Sequence, residues 1–468
     1  MTTISATRKQ APRLFRAVWR WHFYAGLFCI PLVLWLSCTG AIYLFKPQIE
    51  HWLDRPYDHL ALHGTRQTPE QIAKAAVAAV PGSSLHYYEL PPSSHAAVRV
   101  IVGIERKEYR VYVHPETLAV MKTISEDRRP MRMIFYLHGE LMAGRWGSYL
   151  VELAASWAIV LIVTGLYLWW PRQSEKLAGV LWVRLRQGKR IFWRDLHAVT
   201  GVWVSAFALF LLLTGLPWAT GWGSYFKSVR KLTHTAVARQ GWTTSRADEL
   251  ADRAAMNSNS TNTMDMADMP GMEHSGHTPH AMHHMTAPDA YAPLNTLVPV
   301  AAALQLAAPV EIMPAMRPHG NWTIKSDAQN RTLRTVLQAN PANGAIVSRQ
   351  DFGQHMLLDR IVGIGVAAHE GQLFGLFNQL LGLATALGLV TLSLSAAVLW
   401  WRRRSVGVLG APVAIAPPRW SVALLASILA LMLYLPAMAI SLVVVLLLEK
   451  IVLSHISSVS RWLGLAPA

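Results

Sequence analysis

Cysteine is almost missing from this chain of 468 residues: Cys29 and Cys38 are the only two, and both fall in one apolar run. No disulfide can therefore form in the segments between the apolar runs, and an iron–sulfur cluster or thiolate zinc site would lack its ligands. Charge is scarce as well, at 15% of residues against 52% apolar, where an average soluble chain carries about 25% charged residues. Acidic residues are the rarer sign, 27 Asp and Glu against 43 Lys and Arg. No glycine-rich dinucleotide fingerprint follows a strand pattern, which excludes a built-in nicotinamide or flavin-nucleotide fold.

What the chain does have is long apolar runs. Phe23–Phe45, Tyr149–Trp170, Val202–Trp218 with its flanks and Leu376–Trp401 each approach or exceed the roughly 18 residues expected of a spanning helix. The tract Trp420–Leu453 is too long for one helix and carries Pro436 at its middle, so it reads as a hairpin of two short spans. The fold expected is a membrane α-helical bundle of about six spans with a four-helix core. The net charge of +16 is concentrated just outside the runs, at Arg13, Arg16 and Arg20, from Arg172 through Arg194, and at Arg402, Arg403 and Arg404. The positive-inside rule puts these segments in the cytoplasm, so the charge reports topology rather than nucleic-acid binding. The expected order is cytoplasmic N-terminus and first span (1–46), outer unit (47–135), interfacial segment and second span (136–172), basic loop (173–194), third span (195–224), second outer unit (225–360), interfacial segment and fourth span (361–404), cytoplasmic loop (405–419) and C-terminal hairpin (420–468). The basic stretch and long apolar run at the start have no small-residue cleavage signal after them and read as a retained helix.

An internal repeat organises these runs. The first reads His22-Phe-Tyr-Ala-Gly26, then twelve residues, then Thr39-Gly40; the third reads His197-Ala-Val-Thr-Gly201, then twelve residues, then Thr214-Gly215. The second begins at His138-Gly-Glu140, passes Gly144 and ends at Trp169-Trp170; the fourth begins at His369-Glu370, passes Gly375 and ends at Trp400-Trp401. Between the runs each half carries a helix-plus-hairpin pattern: Pro69–Val80 with Ala97–Gly103 and Glu108–His114, then Leu297–Ala307 with Trp322–Ser326 and Thr332–Ala339. Two small extracytoplasmic α+β units are expected, with the paired spans related by an axis along the membrane normal.

Four histidines thus occupy two equivalent pairs of positions, His22 with His197 near the cytoplasmic face and His138 with His369 near the outer face. Buried polar groups in a membrane are costly unless used, and two imidazoles facing across a bundle form an axial pair for haem iron. Gly26 and Gly201, with Gly40, Gly215, Gly144 and Gly375, would let a flat ring approach the backbone. The plain alternative is that these glycines serve helix packing and the histidines bond carbonyls; four matched positions weigh against it. From His138 to Trp170 a continuous helix would measure about 48 Å, against a hydrocarbon core of about 30 Å. His138 and His369 therefore sit at or beyond the interface, on a short helix that breaks before Gly147. There a ligand role stays open beside a substrate-facing one shaped by Glu140 and Glu370.

The Trp-His-Phe-Tyr-Ala-Gly stretch ending at Gly26, the Leu137-His138-Gly block, the Thr-Gly-Leu-Tyr-Leu-Trp-Trp-Pro-Arg stretch ending at Arg172 and the Pro-containing C-terminal tract resemble the PepSY-associated transmembrane family. Within it the chain resembles inner-membrane ferric-siderophore reductases. The resemblance implies two PepSY-like outer units, haem b in the bundle, two groups in all, and electron transfer to a periplasmic ferric siderophore or other metal chelate. His22, His138, His197 and His369 match the family's histidine-bearing blocks. The donor is then a separate cytoplasmic reductase or a quinol, and the location a bacterial inner membrane.

One tract has no counterpart in the first half. Met264, Met266, Met269, Met272, Met282 and Met285 alternate with His274, His277, His280, His283 and His284. Thioether and imidazole together suit copper above all, in a segment too polar to fold alone. Three functions follow as expectations: a haem-dependent ferric-chelate reductase, a copper reductase or copper-handling protein, and a non-enzymatic membrane regulator.

Overall fold

The structure is a computed structural model and describes residues 13–171, 177–235, 254, 290–315, 319–412 and 421–465. The Met264–Met285 tract lies outside the described residues. In chain order the helices begin with α1 (Arg13–Leu44), α2 (Lys46–Asp58), α3 (Pro69–Ala78), α4 (Pro130–Glu140), α5 (Gly144–Trp169), α6 (Lys189–Gly215) and α7 (Thr220–Leu232). They continue as α8 (Pro293–Ala303), α9 (Leu357–His369), α10 (Leu376–Arg403), α11 (Val422–Tyr434), α12 (Pro436–Leu448) and α13 (Ser457–Leu463). The strands are β1 (Ser84–Glu89), β2 (Val98–Ile104), β3 (Lys107–Val113), β4 (Val120–Ser125), β5 (Val310–Met313), β6 (Trp322–Ser326), β7 (Thr335–Ala339) and β8 (Ile346–Asp351). They form two compact units: the described parts of Met1–Leu44, Ile134–Thr243 and Phe374–Ala468, and those of Phe45–Met133 and Thr244–Leu373.

The first unit is helical. Five of its helices are long and apolar enough to cross a membrane: α1, α5, Lys189–Trp218, α10 and Pro436–Leu453. In hydrocarbon only a helix satisfies its own backbone donors and acceptors. Around the bundle α1 packs on α5 and α10, and α6 packs on the same two helices, so α1 and α6 stand diagonally opposed. The polarity of the bundle is reversed from that of a soluble protein. Trp203, Phe207 and Phe210 on α6 and Leu380, Leu387 and Leu394 on α10 are exposed. Ser37, Thr39, Ser148, Ser156, Thr385, Ser393 and Ser395 are buried. Small hydroxyl residues allow close helix approach, and an apolar exterior of this extent belongs against lipid.

The expectation of six spans meets five helices of spanning length. Leu435 and Pro436 break the C-terminal tract into two helices, and α11, with 13 residues, is only about 20 Å long. The break is anchored: Leu435 and Met438 pack with Ile159, Leu216 and Trp222, and the Trp222 indole donates to the Tyr434 carbonyl at 2.9 Å. At the far end of the tail the Arg20 guanidinium donates to the carbonyls of Pro412 and Gly464, at 2.6 and 3.1 Å.

The second unit is a sheet with α3 and α8 on one face and α2 against the other. Its eight strands run β4-β3-β2-β1-β5-β6-β7-β8, all antiparallel. Two separate α+β units were expected; a single sheet is found. β1 and β5 join them through the register pairs Tyr88–Ile312 and Glu89–Glu311, so no internal edge is left with unpaired backbone groups. Thr68 starts α3 with a capping box to Gln71, and Pro69 takes the first helical position, where its missing donor costs nothing. α3 and α8 bury Ile72, Ala76, Leu294 and Leu297 against Val98, Val100, Val111, Ile312 and Ile324.

The opposite face of β1–β3 buries charge. Arg99 pairs with Asp58 at 2.5 Å and Asp54 at 3.3 Å; Arg110 pairs with Glu89 at 2.6 Å and Glu126 at 2.5 Å. Burial alone would raise the Glu126 carboxyl, but Arg110 and Arg129 beside it hold it at about 2. Glu311 behaves oppositely. Burial pushes its carboxyl up to about 7, against the pull of Lys325 at 2.9 Å and with Asp327 and Glu89 nearby. The folded sheet therefore binds this proton more tightly than the unfolded chain does. The associated stability is present at acid pH and is lost as pH rises from the ordinary carboxylate value toward 7. Hydrogen exchange on the full chain in detergent should show protection of β5 falling between pH 5 and pH 8, and Glu311→Gln should flatten that fall. An equal fall in both proteins would refute the assignment.

Candidate functional site

An imidazole inside a bundle must find partners, and here the neighbouring helix supplies them. His22, on α1, has Nδ1 at 2.9 Å from Oγ1 of Thr164 on α5. His197, on α6, has Nδ1 at 3.2 Å from the Leu392 carbonyl and 3.3 Å from Oγ of Ser395, both on α10. Each Nδ1 is thus tied to a flanking helix. The two rings meet across the bundle diagonal, centroids 6.5 Å apart and planes at 82°.

That separation has a chemical meaning. Two imidazoles bonded through nitrogen to opposite sides of one metal ion, with bonds of about 2.0 Å, have centroids roughly 6.3 Å apart. His22 and His197 are thus the residues that would hold a metal-centred group through their imidazoles. Among the described residues no three His, Cys, Asp or Glu side chains converge as a metal site built of protein ligands alone would need.

His138 stands on α4, which ends at Glu140; the chain then turns through Leu141, Met142 and Gly144, all at positive φ, before α5 begins. The turn is tight because Gly147 packs on the Glu140 carbonyl, leaving no room for a Cβ. His138 Nδ1 is 3.0 Å from Oγ1 of Thr39, and the neighbouring Trp35 indole donates to the Leu137 carbonyl at 3.0 Å. Beside them Phe135 contacts the rings of Tyr43, Tyr136 and Trp218. His369 closes α9 in the sheet unit, and there the neighbouring Glu370 lies 3.9 Å from the buried Arg331 guanidinium.

Of the glycines, Gly40 and Gly165 face the rings. A Cβ on Gly40 would stand 3.1 Å from Cε1 of His138, and one on Gly165 would stand 3.2 Å from Cε1 of His22. Gly26 and Gly201 instead face Leu161 and Leu392, at 3.8 and 3.4 Å, which is helix packing. Gly144 and Gly375 have open space and positive φ, so they serve the turns into α5 and α10. Sequence reasoning missed Thr164, Gly165 and Ser395. The available signal was the dipeptide Thr164-Gly165, which repeats Thr39-Gly40.

The family described as PepSY-associated TM region matches residues 19–403. No curated protein matches the chain.

Overpacking at Gly40 or Gly147 should be felt directly. Gly147→Ala drives a Cβ into rigid backbone and should destabilise the protein by more than the roughly 1–3 kcal/mol usual for added core methyls. Gly40→Ala meets only a ring edge and should cost less. Thermal unfolding in detergent checks the order; a Gly147→Ala protein as stable as wild type would contradict the described turn.

Proposed function

We propose, starting from the fact that this chain belongs to the PepSY-associated transmembrane family, that it is a haem-dependent reductase of the bacterial inner membrane. Its substrate in this reading is a periplasmic ferric chelate of the siderophore class, reduced so that the weaker-bound ferrous ion is released. The observation that carries it is the His22–His197 pair, held at 6.5 Å across diagonal helices. These two residues would hold a haem b, which when bound supplies one-electron transfer within the membrane. The second haem of the expectation belongs to the same reading, with His138 and its Thr39 contact in support.

What this chain's own groups contribute is position and exclusion of water. Thr164, Leu392 and Ser395 fix the two rings; the apolar exterior of α6 and α10 keeps solvent from them. In this reading the Arg402–Arg404 end of α10 and the Arg184–Arg194 segment before the third span are cytoplasmic, on the positive-inside rule, and the sheet unit is periplasmic. The mirrored strand order about the β1–β5 seam supports a duplicated chain, with α11 and α12 as a sixth-span hairpin appended to it. Electrons come from a separate reductase or a quinol, since the chain carries no dinucleotide fingerprint.

Absorption spectra of the detergent-purified protein test this reading. Wild type should show b-type bands that sharpen on reduction, and His22→Ala and His197→Ala should each lose one haem. Ferric siderophore should reoxidise the reduced protein faster than Cu(II). A purified protein with no Soret band would sink the proposal, and faster reoxidation by Cu(II) would move the substrate to copper.

A further inference from the structure

The hydroxyl contacts around the histidines carry more than packing, because the position of each proton can be worked out. Thr164 Oγ1 lies 2.7 Å from the Val160 carbonyl of its own helix. A carbonyl only accepts, so the threonine proton is committed there. The oxygen that faces His22 Nδ1 at 2.9 Å is then an acceptor, and the contact is completed only if Nδ1 carries the proton. Thr39 repeats the arrangement: 2.9 Å to the Trp35 carbonyl and 3.0 Å to His138 Nδ1. Ser395 lies 2.9 Å from the Leu392 carbonyl, and His197 Nδ1 faces both that carbonyl and the serine oxygen.

Three imidazoles are thereby held in one tautomer, with the proton on Nδ1 and the lone pair on Nε2. Back-bonding of Ser and Thr within helices is common and needs no histidine. Here, however, Thr164 and Ser395 sit at equivalent places in the repeat, each five residues before the first tryptophan of a Trp-Trp pair, at Trp169 and Trp400. Each serves the histidine of the preceding span in its own half. Gly40 and Gly165, next in sequence to Thr39 and Thr164, admit the ring edge that the hydroxyl holds.

We infer that Thr164, Ser395 and Thr39 are positioning residues that lock their histidines as Nδ1–H tautomers and so set the strength of Nε2 as an iron ligand. This rests on the haem reading above. An imidazole that donates from Nδ1 to a fixed acceptor is a more basic ligand and favours ferric over ferrous iron. Losing the acceptor weakens that preference. The two members of the inner pair differ in kind: His197 has a backbone carbonyl in reserve, whereas among the described residues His22 Nδ1 meets the threonine oxygen alone. Thr164→Val should therefore act more strongly than Ser395→Ala.

The test is a potentiometric titration of the full-length protein, with electron paramagnetic resonance of the ferric state. Thr164→Val keeps the shape and removes the acceptor. It should raise one midpoint potential by about 59 mV, a tenfold shift in ferric–ferrous preference for one electron, and move the low-spin g values. Ser395→Ala should shift less, and Thr164→Ser should restore wild-type behaviour. Loss of haem from Thr164→Val but not Thr164→Ser also supports a role for the hydroxyl. Unchanged potentials in both Thr164→Val and Ser395→Ala, or haem loss from Thr164→Ser as well, would overturn the inference. A wild-type protein without haem would instead overturn the functional reading on which it rests.

Discussion

A polar group placed among hydrocarbon helices must be given a partner, and the partner must be built into the same helices. Nearly every feature of the bundle interior follows from that. Among the serines and threonines that line the interior, Thr39, Thr164 and Ser395 return their hydroxyls to carbonyls of their own helix and keep a lone pair for the next helix. Those lone pairs are what make three imidazoles affordable inside the bundle. Because α5 serves α1 and α10 serves α6, each histidine is fixed by an adjacent helix and presents its far side to the diagonal one. The meeting of His22 and His197 is thus a consequence of where the acceptors stand.

The sheet unit meets the same cost by a different route. Its apolar face is conventional, with two helices over a single core shared by both halves of the sheet. The other face of β1–β3 holds arginines and carboxylates in alternation, from Glu50 through Arg129, Glu126, Arg110, Glu89 and Arg99 to Asp58. Buried ion pairs of this kind are weak stabilisers but strongly penalise any arrangement that leaves one member alone. The network therefore specifies the docking of α2 more than it strengthens it. Only at the seam does the alternation fail, where Glu89 and Glu311 are register partners and like charges oppose each other. Lys325, 2.9 Å from Glu311, offsets part of that conflict, and the raised carboxyl of Glu311 reflects the rest.

How much of this was legible beforehand depended on the range of the interaction. The spans could be read because run length and flanking arginines are local properties, and the Trp322–Ser326 strand because its alternation is clean. The helix break near His138 followed from arithmetic on length alone. β1, β5 and the single sheet were not legible: β5 has four residues, and its pairing with β1 is a contact between distant segments. The role of Thr164 was hidden for a related reason. In the sequence it is one of many hydroxyls in an apolar run; only the 2.9 Å approach of a ring 142 positions away distinguishes it. The glycines were misjudged in the same manner, since Gly26 and Gly165 look alike until the facing helix is known.

The inner and outer histidines consequently stand on different physical footing. His22 and His197 lie within the first third of continuous helices, so their separation is set by bundle packing and changes only if the helices move. His138 lies about two turns into α4, and only the loop 141–143 joins that helix to α5. Its ring is placed by Thr39, Trp35 and the aromatic contacts of Phe135, interactions that a small rotation of α4 would loosen together. The buried Tyr136 holds the same helix about half a turn earlier, so the place of this ring is set by side-chain packing rather than by a continuous backbone.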